Sequence, residues 1–120
     1  MKLTTAIVDN DPQLLSQLKT ILEEEVQTDL LGAFGHPGDL LDFVRENPVD
    51  LVFSDVVMPE ISGITLAGKL AGLENPPKVI LMSDIPGLSL KAWNIKALAF
   101  MPKPYTRQDV RQMVRLASQA

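Results

Sequence analysis

Polar and apolar positions along the chain alternate in two rhythms. Short apolar runs, LTTAIV (Leu3–Val8), DLLGAFG (Asp29–Gly35), VDLVFSD (Val49–Asp55), KVILMSD (Lys78–Asp84) and ALAFM (Ala97–Met101), are separated by segments whose apolar residues recur every three or four positions. The runs predict strands, and the third, apolar almost throughout, predicts one buried on both faces. The spaced segments predict helices. Leu14, Leu15, Leu18, Ile21 and Leu22 share one face after Pro12, and Leu40, Leu41, Phe43 and Val44 do so within Gly38–Asn47. Further helices are expected over Gly63–Leu73, which Gly68 and Gly72 interrupt, and over Leu88–Ile95. A last one follows Thr106, with Val110, Met113, Val114 and Ala117 as its apolar stripe. Asp11 before Pro12 has the form of a carboxylate N-cap with proline at the first helical position. Thr106 with Asp109 three residues on resembles a capping box, with Asp in place of the usual Glu.

Five strands, each followed by a helix, imply an α/β fold: a doubly wound five-stranded parallel sheet with helices on both faces. Right-handed crossovers leave few topologies, and the flavodoxin-like strand order 2-1-3-4-5 is the natural one. Pro102 is consistent with it, since proline is tolerated at sheet edges and strand ends, and strand five is then an edge. In such sheets ligands bind outside the carboxyl ends of the strands, where strand order reverses. Strand one delivers Asp9, Asn10 and Asp11 there, strand three Asp55, strand four Ser83 and Asp84, and strand five Lys103. Strands one and three are neighbours, so Asp9 and Asp55 meet. Carboxylates crowded in a cleft repel unless a cation joins them, and an all-oxygen set favours a hard divalent ion such as Mg2+. With a lysine and a hydroxyl added, the set suits phosphoryl transfer, where charge on the transferring group must be neutralised.

Composition narrows the field further. At 120 residues the chain reads as one domain, residues 1–120. A net charge of −4 argues against direct nucleic-acid binding, which depends on Lys and Arg neutralising phosphates. The absence of cysteine excludes disulfides, zinc thiolates and thiol catalysis. With no leader-like N-terminus and no run of apolar residues long enough to span a bilayer, a cytoplasmic protein without membrane association is expected.

Four motifs in order, IVDNDP, SDVVMPEISG, Ser83 and PKPY, resemble the receiver domain of two-component response regulators, and the resemblance covers the whole chain. It implies that Asp55 accepts a phosphoryl group from a sensor histidine kinase, a phosphotransfer protein or a small phosphodonor, and that the chain is a signalling switch, not an enzyme. It implies Mg2+ held by Asp9, Asp55 and the backbone carbonyl of Val57, with Lys103 paired to a phosphoryl oxygen. It implies a switch in which Ser83 moves onto the acyl phosphate and Phe100 follows inward. Its Lys-Pro bond, here Lys103-Pro104, is often cis in the family, as the weak trans preference of a proline amide allows. An output domain, a partner protein or a second copy in a homodimer would dock on the face of the last strand and last helix. There Arg107, Arg111 and Arg115 form a stripe. The chain is either a free-standing receiver or one excised from a longer response regulator.

Two positions depart from the family pattern. Asn10 stands where a second acid ordinarily ligates the metal; an amide oxygen can coordinate Mg2+ but carries no charge, so weaker binding is expected. Asp84 follows the strand-four hydroxyl, where the family usually has a small residue, and its charge can either repel a phosphodonor or replace what Asn10 lacks. Asp11 carries charge too, but its place before Pro12 assigns it to capping. A pseudo-receiver, binding partners without phosphorylation, is therefore the main alternative. A haloacid-dehalogenase-like phosphatase is suggested by the Asp-x-Asp of DNDP, but that family generally needs a longer chain and a further acidic motif at its last strands, where this chain has Lys103-Pro104 and a helix. A flavin-binding flavodoxin is disfavoured, since no Ser/Thr/Gly-rich phosphate loop follows strand one in this chain. His36 reads as a solvated loop residue, Trp93 as packing or partner surface, and the five methionines as core filling.

Overall fold

The computed structural model describes residues 2–85 and 95–120. Among them lie five strands, β1 (Leu3–Val8), β2 (Thr28–Phe34), β3 (Leu51–Asp55), β4 (Lys78–Ser83) and β5 (Ala99–Pro102). Four helices accompany them, α1 (Pro12–Glu24), α2 (Pro37–Glu46), α3 (Gly63–Ala71) and α4 (Arg107–Gln119). The expected helix over Leu88–Ile95, apart from Ile95, and Trp93 fall outside the described residues. The strands form one parallel sheet in the order β2-β1-β3-β4-β5, as expected.

Side chains of successive strand residues point to opposite faces, and the sheet sorts its core accordingly. Ala6, Val8, Val52, Val79 and Leu81 pack with Leu40, Leu41 and Val44 of α2 and Leu66, Ala67 and Leu70 of α3. Ile7, Leu51, Phe53, Ile80, Met82 and Met101 pack on the other side with Leu18, Ile21 and Leu22 of α1 and Val110, Val114 and Ala117 of α4. Every residue of β3 is buried, as a central strand covered on both faces must be. Pro102, which has no N–H for a ladder, sits in the edge strand β5, opposite Ser83.

The helix starts follow local chemistry. The Asp11 side chain accepts from the backbone N–H of Gln13 (2.9 Å) and of Leu14 (3.3 Å), opening α1. At α4 the capping box is complete: Thr106 N donates to Asp109 Oδ2 (2.8 Å), and Asp109 N to Thr106 Oγ1 (3.1 Å). Element ends differ from expectation by one or two residues. α2 begins at Pro37, with exposed His36 at its N-cap position, and Gly72 closes α3 before Leu73. Such ends are set by which backbone groups find partners. The parallel ladder carries one irregularity, at Leu31 between the Thr5–Leu30 and Ala6–Gly32 pairs, which turns Leu31 outward on the edge strand β2. No helix among the described residues is long and apolar enough to cross a membrane.

Candidate functional site

Alternation that buries Ile7, Phe53 and Met101 on one face carries on past the strand ends. Asp9 comes two residues after Ile7, Asp55 two after Phe53, and Lys103 two after Met101, so all three head to one place above one core. The result is a tight triad. Lys103 Nζ lies 3.0 Å from Asp9 Oδ2 and 3.2 Å from Asp55 Oδ1. The Asp9 side chain is fully buried, and its other oxygen accepts the Asp11 backbone N–H at 2.8 Å. Lys103 is itself held by its backbone, whose N–H donates to the Ser83 carbonyl at 2.9 Å, and the Lys103-Pro104 peptide is cis.

Two buried carboxylates and one ammonium leave the site with a deficit of positive charge. Burial and the neighbouring Asp9 charge push the Asp55 carboxyl above its ordinary value, against the pull of Lys103 and of hydrogen bonding from Val57. Burial by itself would lower Lys103, but the hydrogen bond and charge of Asp9, and then of Asp55, raise it overall. The lysine therefore stays protonated at neutral pH.

Gly63, the first residue of α3, lies against the backbone of Asp55. A Cβ there would fall 2.1 Å from the Asp55 carbonyl oxygen, and the Gly63 N–H donates to the Val56 carbonyl at 2.8 Å. Only a residue without a side chain lets the β3–α3 connection return so closely to the strand end.

The remaining expected residues take separate places. Ser83 is buried at the end of β4, and its Oγ accepts the Ile85 N–H at 2.9 Å. Phe100 is half-buried and packs with the α2/α3 core on the opposite side of the sheet from Lys103. Asn10, Val57 and Asp84 are exposed at the rim. Asp11 is committed to the α1 cap. Of the arginine stripe, Arg107 bonds Glu24 (2.9 Å) and Arg111 bonds the nearly buried Glu25 (3.3 Å), so two of its three members tie α4 to the end of α1.

The side chains that meet here, Asp9 and Asp55, offer only oxygen lone pairs, and the exposed Asn10 and Val57, which adjoin them in sequence, have an amide and a carbonyl oxygen to add. Each carboxylate oxygen keeps accepting capacity beyond its present bond. The donor set fits a hard divalent cation such as Mg2+. Among the described residues no cluster of three His, Cys, Asp or Glu forms, so neutral oxygens would have to complete the coordination.

A family model for the response regulator receiver domain matches residues 5–115. The chain belongs to that family. Receiver domains are signalling modules of two-component systems, and the likeness extends to named relatives. The sensory transduction protein LytT of Bacillus anthracis is 25% identical over 94% of this chain and 46% of its own length. The transcriptional regulatory protein YpdB of Escherichia coli (strain K12) is 24% identical over 91% and 45%. This chain thus spans about half the length of the curated relatives it matches. Among solved structures, the response regulatory domain of MrkE from Klebsiella pneumoniae superposes with a TM-score of 0.84 at 22% identity, covering 97% of this chain and 95% of that one. The BeF3-activated DrrB receiver domain superposes with a TM-score of 0.84 at 21% identity, covering both chains fully. These structures share the receiver fold.

One residue at this receiver site was not singled out by sequence reasoning. Tyr105 is buried, and its hydroxyl has no hydrogen-bond partner among the described residues. Its burial had a local signal: Tyr105 precedes the N-cap Thr106 and Val110 follows it by four, the spacing of a hydrophobic staple, and both lie in one core cluster. Where the hydroxyl ends up had no such signal.

Proposed function

We propose that this receiver takes a phosphoryl group on Asp55 from a histidine kinase, a phosphotransfer protein or a small acyl phosphate, in a Mg2+-dependent reaction. One observation supports this most: Lys103 Nζ stands 3.2 Å from Asp55 and 3.0 Å from Asp9, a fixed cation beside a carboxylate that would receive negative charge. The Asp55 carboxylate is the nucleophile. As its oxygen bonds to phosphorus, the bond from phosphorus to the donor's nitrogen or oxygen breaks, and no proton need leave Asp55. Lys103 meets one phosphoryl oxygen and limits the charge that builds up. Mg2+, held by Asp9, Asp55, the Asn10 amide oxygen and the Val57 carbonyl, supplies further charge neutralisation when bound.

The switch follows from what Ser83 and Phe100 do at rest. The Ser83 hydroxyl, now accepting the Ile85 amide, turns to donate to a phosphoryl oxygen. Phe100, half-buried against the α2/α3 core, follows by moving inward. The surface of β5 and α4 then changes its preference for an output domain, a partner protein or a second copy. The chain does not turn over a substrate, and it works in the cytoplasm as one domain, free-standing or part of a longer regulator.

The test is intact-mass measurement after incubation with a small acyl phosphate, with and without Mg2+, on this chain and on Asp55→Ala. A Mg2+-dependent phosphoryl adduct absent from the variant is expected. Asn10, which removes a charge from the cation site, favours a second reading: a binding module of the unmodified form. Absence of both adduct and Mg2+ binding would select it.

A further inference from the structure

Val26, at 78%, is the most exposed large apolar side chain among the described residues. It stands in the turn between α1 and β2, two residues before β2 begins, with exposed acids on either side at Glu23 and Asp29. At the same end of the sheet lies a groove of about 490 Å3. Ala67, Val79, Ile95 and Leu98, buried or half-buried, supply its apolar surface, and Lys78 and Lys96 are its only charged lining residues among those described. In a chain of net charge −4 that is a local excess of positive charge. Among the described residues neither lysine forms an ion pair, and neither do Glu23 and Asp29.

A chain cannot fill its own groove. All five strands are parallel, so each begins at the same end of the sheet, opposite Asp9, Asp55 and Lys103. Val26 leads into β2 at one edge, whereas the groove opens beside the starts of β4 and β5 toward the other. Three strand spacings, about 14 Å, separate β2 from β4. A two-fold axis lying in that end face, midway between the two patches, exchanges them, so a contact of this kind closes at two copies. We infer that the amino end of the sheet is a self-association surface: Val26 of each copy seats in the groove of the other, and Glu23 and Asp29 meet Lys78 and Lys96. The charges support a second copy as the occupant, because an apolar tip between acids matches an apolar groove flanked by lysines. Seating the tip removes apolar surface from water, and the charges fix the orientation. The pairing leaves the carboxyl end open and uses a different surface from β5 and α4, so it does not depend on the role of Asp55.

Sedimentation equilibrium of the unmodified protein, from micromolar to submillimolar concentration, tests this. A concentration-dependent dimer is expected. Val26→Arg removes the apolar tip and sets a cation against the two lysines, and should raise the dissociation constant at least about tenfold. Its melting temperature should not change, since the residue is mostly exposed. Two double variants add a mixing test. Lys78→Glu with Lys96→Glu sets acid against acid, and Glu23→Lys with Asp29→Lys sets base against base, so each alone should be monomeric. Mixed, they pair opposite charges at both contacts, and the dimer should return. If the first pair melts early, Lys96→Glu alone takes its place. Arg115→Glu, on the exposed side of α4, should leave the dimer intact. A monomer at every concentration overturns the inference, as does a dimer that Val26→Arg leaves unchanged. A mixture that stays monomeric, although both variants melt like the parent, overturns it too. A dimer lost in Arg115→Glu and kept in Val26→Arg puts the second copy on the β5 and α4 face and likewise overturns it.

Discussion

Replacing Gly63 by alanine puts one methyl group where the backbone of β3 already is. The new Cβ would lie 2.1 Å from the Asp55 carbonyl oxygen, 2.9 Å from its carbon and 3.1 Å from Ser54 Oγ. Carbon and oxygen normally approach no closer than about 3.3 Å, so something must move by more than about 1 Å. The obstacle is backbone in a strand paired on both sides, to β1 and β4, and it cannot rotate away as a side-chain tip could. Overpacking of this kind costs about 1–3 kcal/mol, and a rigid neighbour puts it near the top of that range. Alanine in place of glycine in a helix returns about 0.5–1 kcal/mol. A net loss of about 2 kcal/mol is expected for Gly63→Ala. Gly68, exposed in the middle of α3 with nothing within 4 Å of its own Cβ position, is the internal control. There only the helical gain applies, and Gly68→Ala should stabilise by about 0.5–1 kcal/mol. Urea unfolding with linear extrapolation measures both. Because Asp55 lies on the displaced strand end, Gly63→Ala should also reduce the yield of its phosphoryl adduct while Gly68→Ala does not. A Gly63→Ala protein within 0.5 kcal/mol of the parent, a threshold set by ordinary surface substitutions at about that size, would refute the close approach of α3 to β3.

Three further outcomes follow from the same geometry. Asp11→Ala removes the α1 cap and should cost about 1 kcal/mol in unfolding free energy, yet leave the Mg2+-dependent adduct on Asp55 intact, because the Asp11 group that touches Asp9 is its backbone N–H; loss of the adduct would make Asp11 part of the site. Asn10→Asp should tighten Mg2+ binding on the order of tenfold in a calorimetric titration, since affinity at such sites follows the number of charged ligands, and unchanged affinity would place residue 10 outside the coordination. In Mg2+-free buffer, stability should fall as pH climbs from 10.0 toward about 12. Burial holds the Tyr105 proton over that window while the unfolded chain releases it, and Lys103, raised by Asp9 and Asp55 against its burial, acts in the same direction. The Tyr105 share is at most about 3 kcal/mol; Tyr105→Phe should show a shallower decline, and identical curves for the two proteins would contradict the burial of this hydroxyl.

Much of this molecule was legible along the chain because much of it rests on neighbours in sequence. The apolar alternation that makes each strand, the Asp11 and Thr106 caps and the prolines at Pro12 and Pro102 act over one to four residues. Parallel order then brought Asp9, Asp55 and Lys103 to one end of the sheet before any distance was known. Element ends were less legible: β5 begins at Ala99 and not Ala97 because pairing with Ile80 starts there, a matter of a distant strand. The arginine stripe shows the same limit. Helical spacing placed Arg107 and Arg111 on one face, but only the packing of α4 beside α1 puts Glu24 and Glu25 within their reach.

The sequence by itself determined the winding of the fold and the identity of the groups at its carboxyl end, since periodicity and strand-end chemistry are local properties. Tertiary structure alone decided the contacts made across 46 to 94 positions of chain, such as Thr4 with Asp50 and Asp9 with Lys103. It also decided that Lys103 would serve two carboxylates at once, that Gly63 would press on Asp55, and that the Tyr105 hydroxyl would be buried without a partner among the described residues. Those outcomes depend on where several elements meet at ångström precision, and no local pattern carries that information.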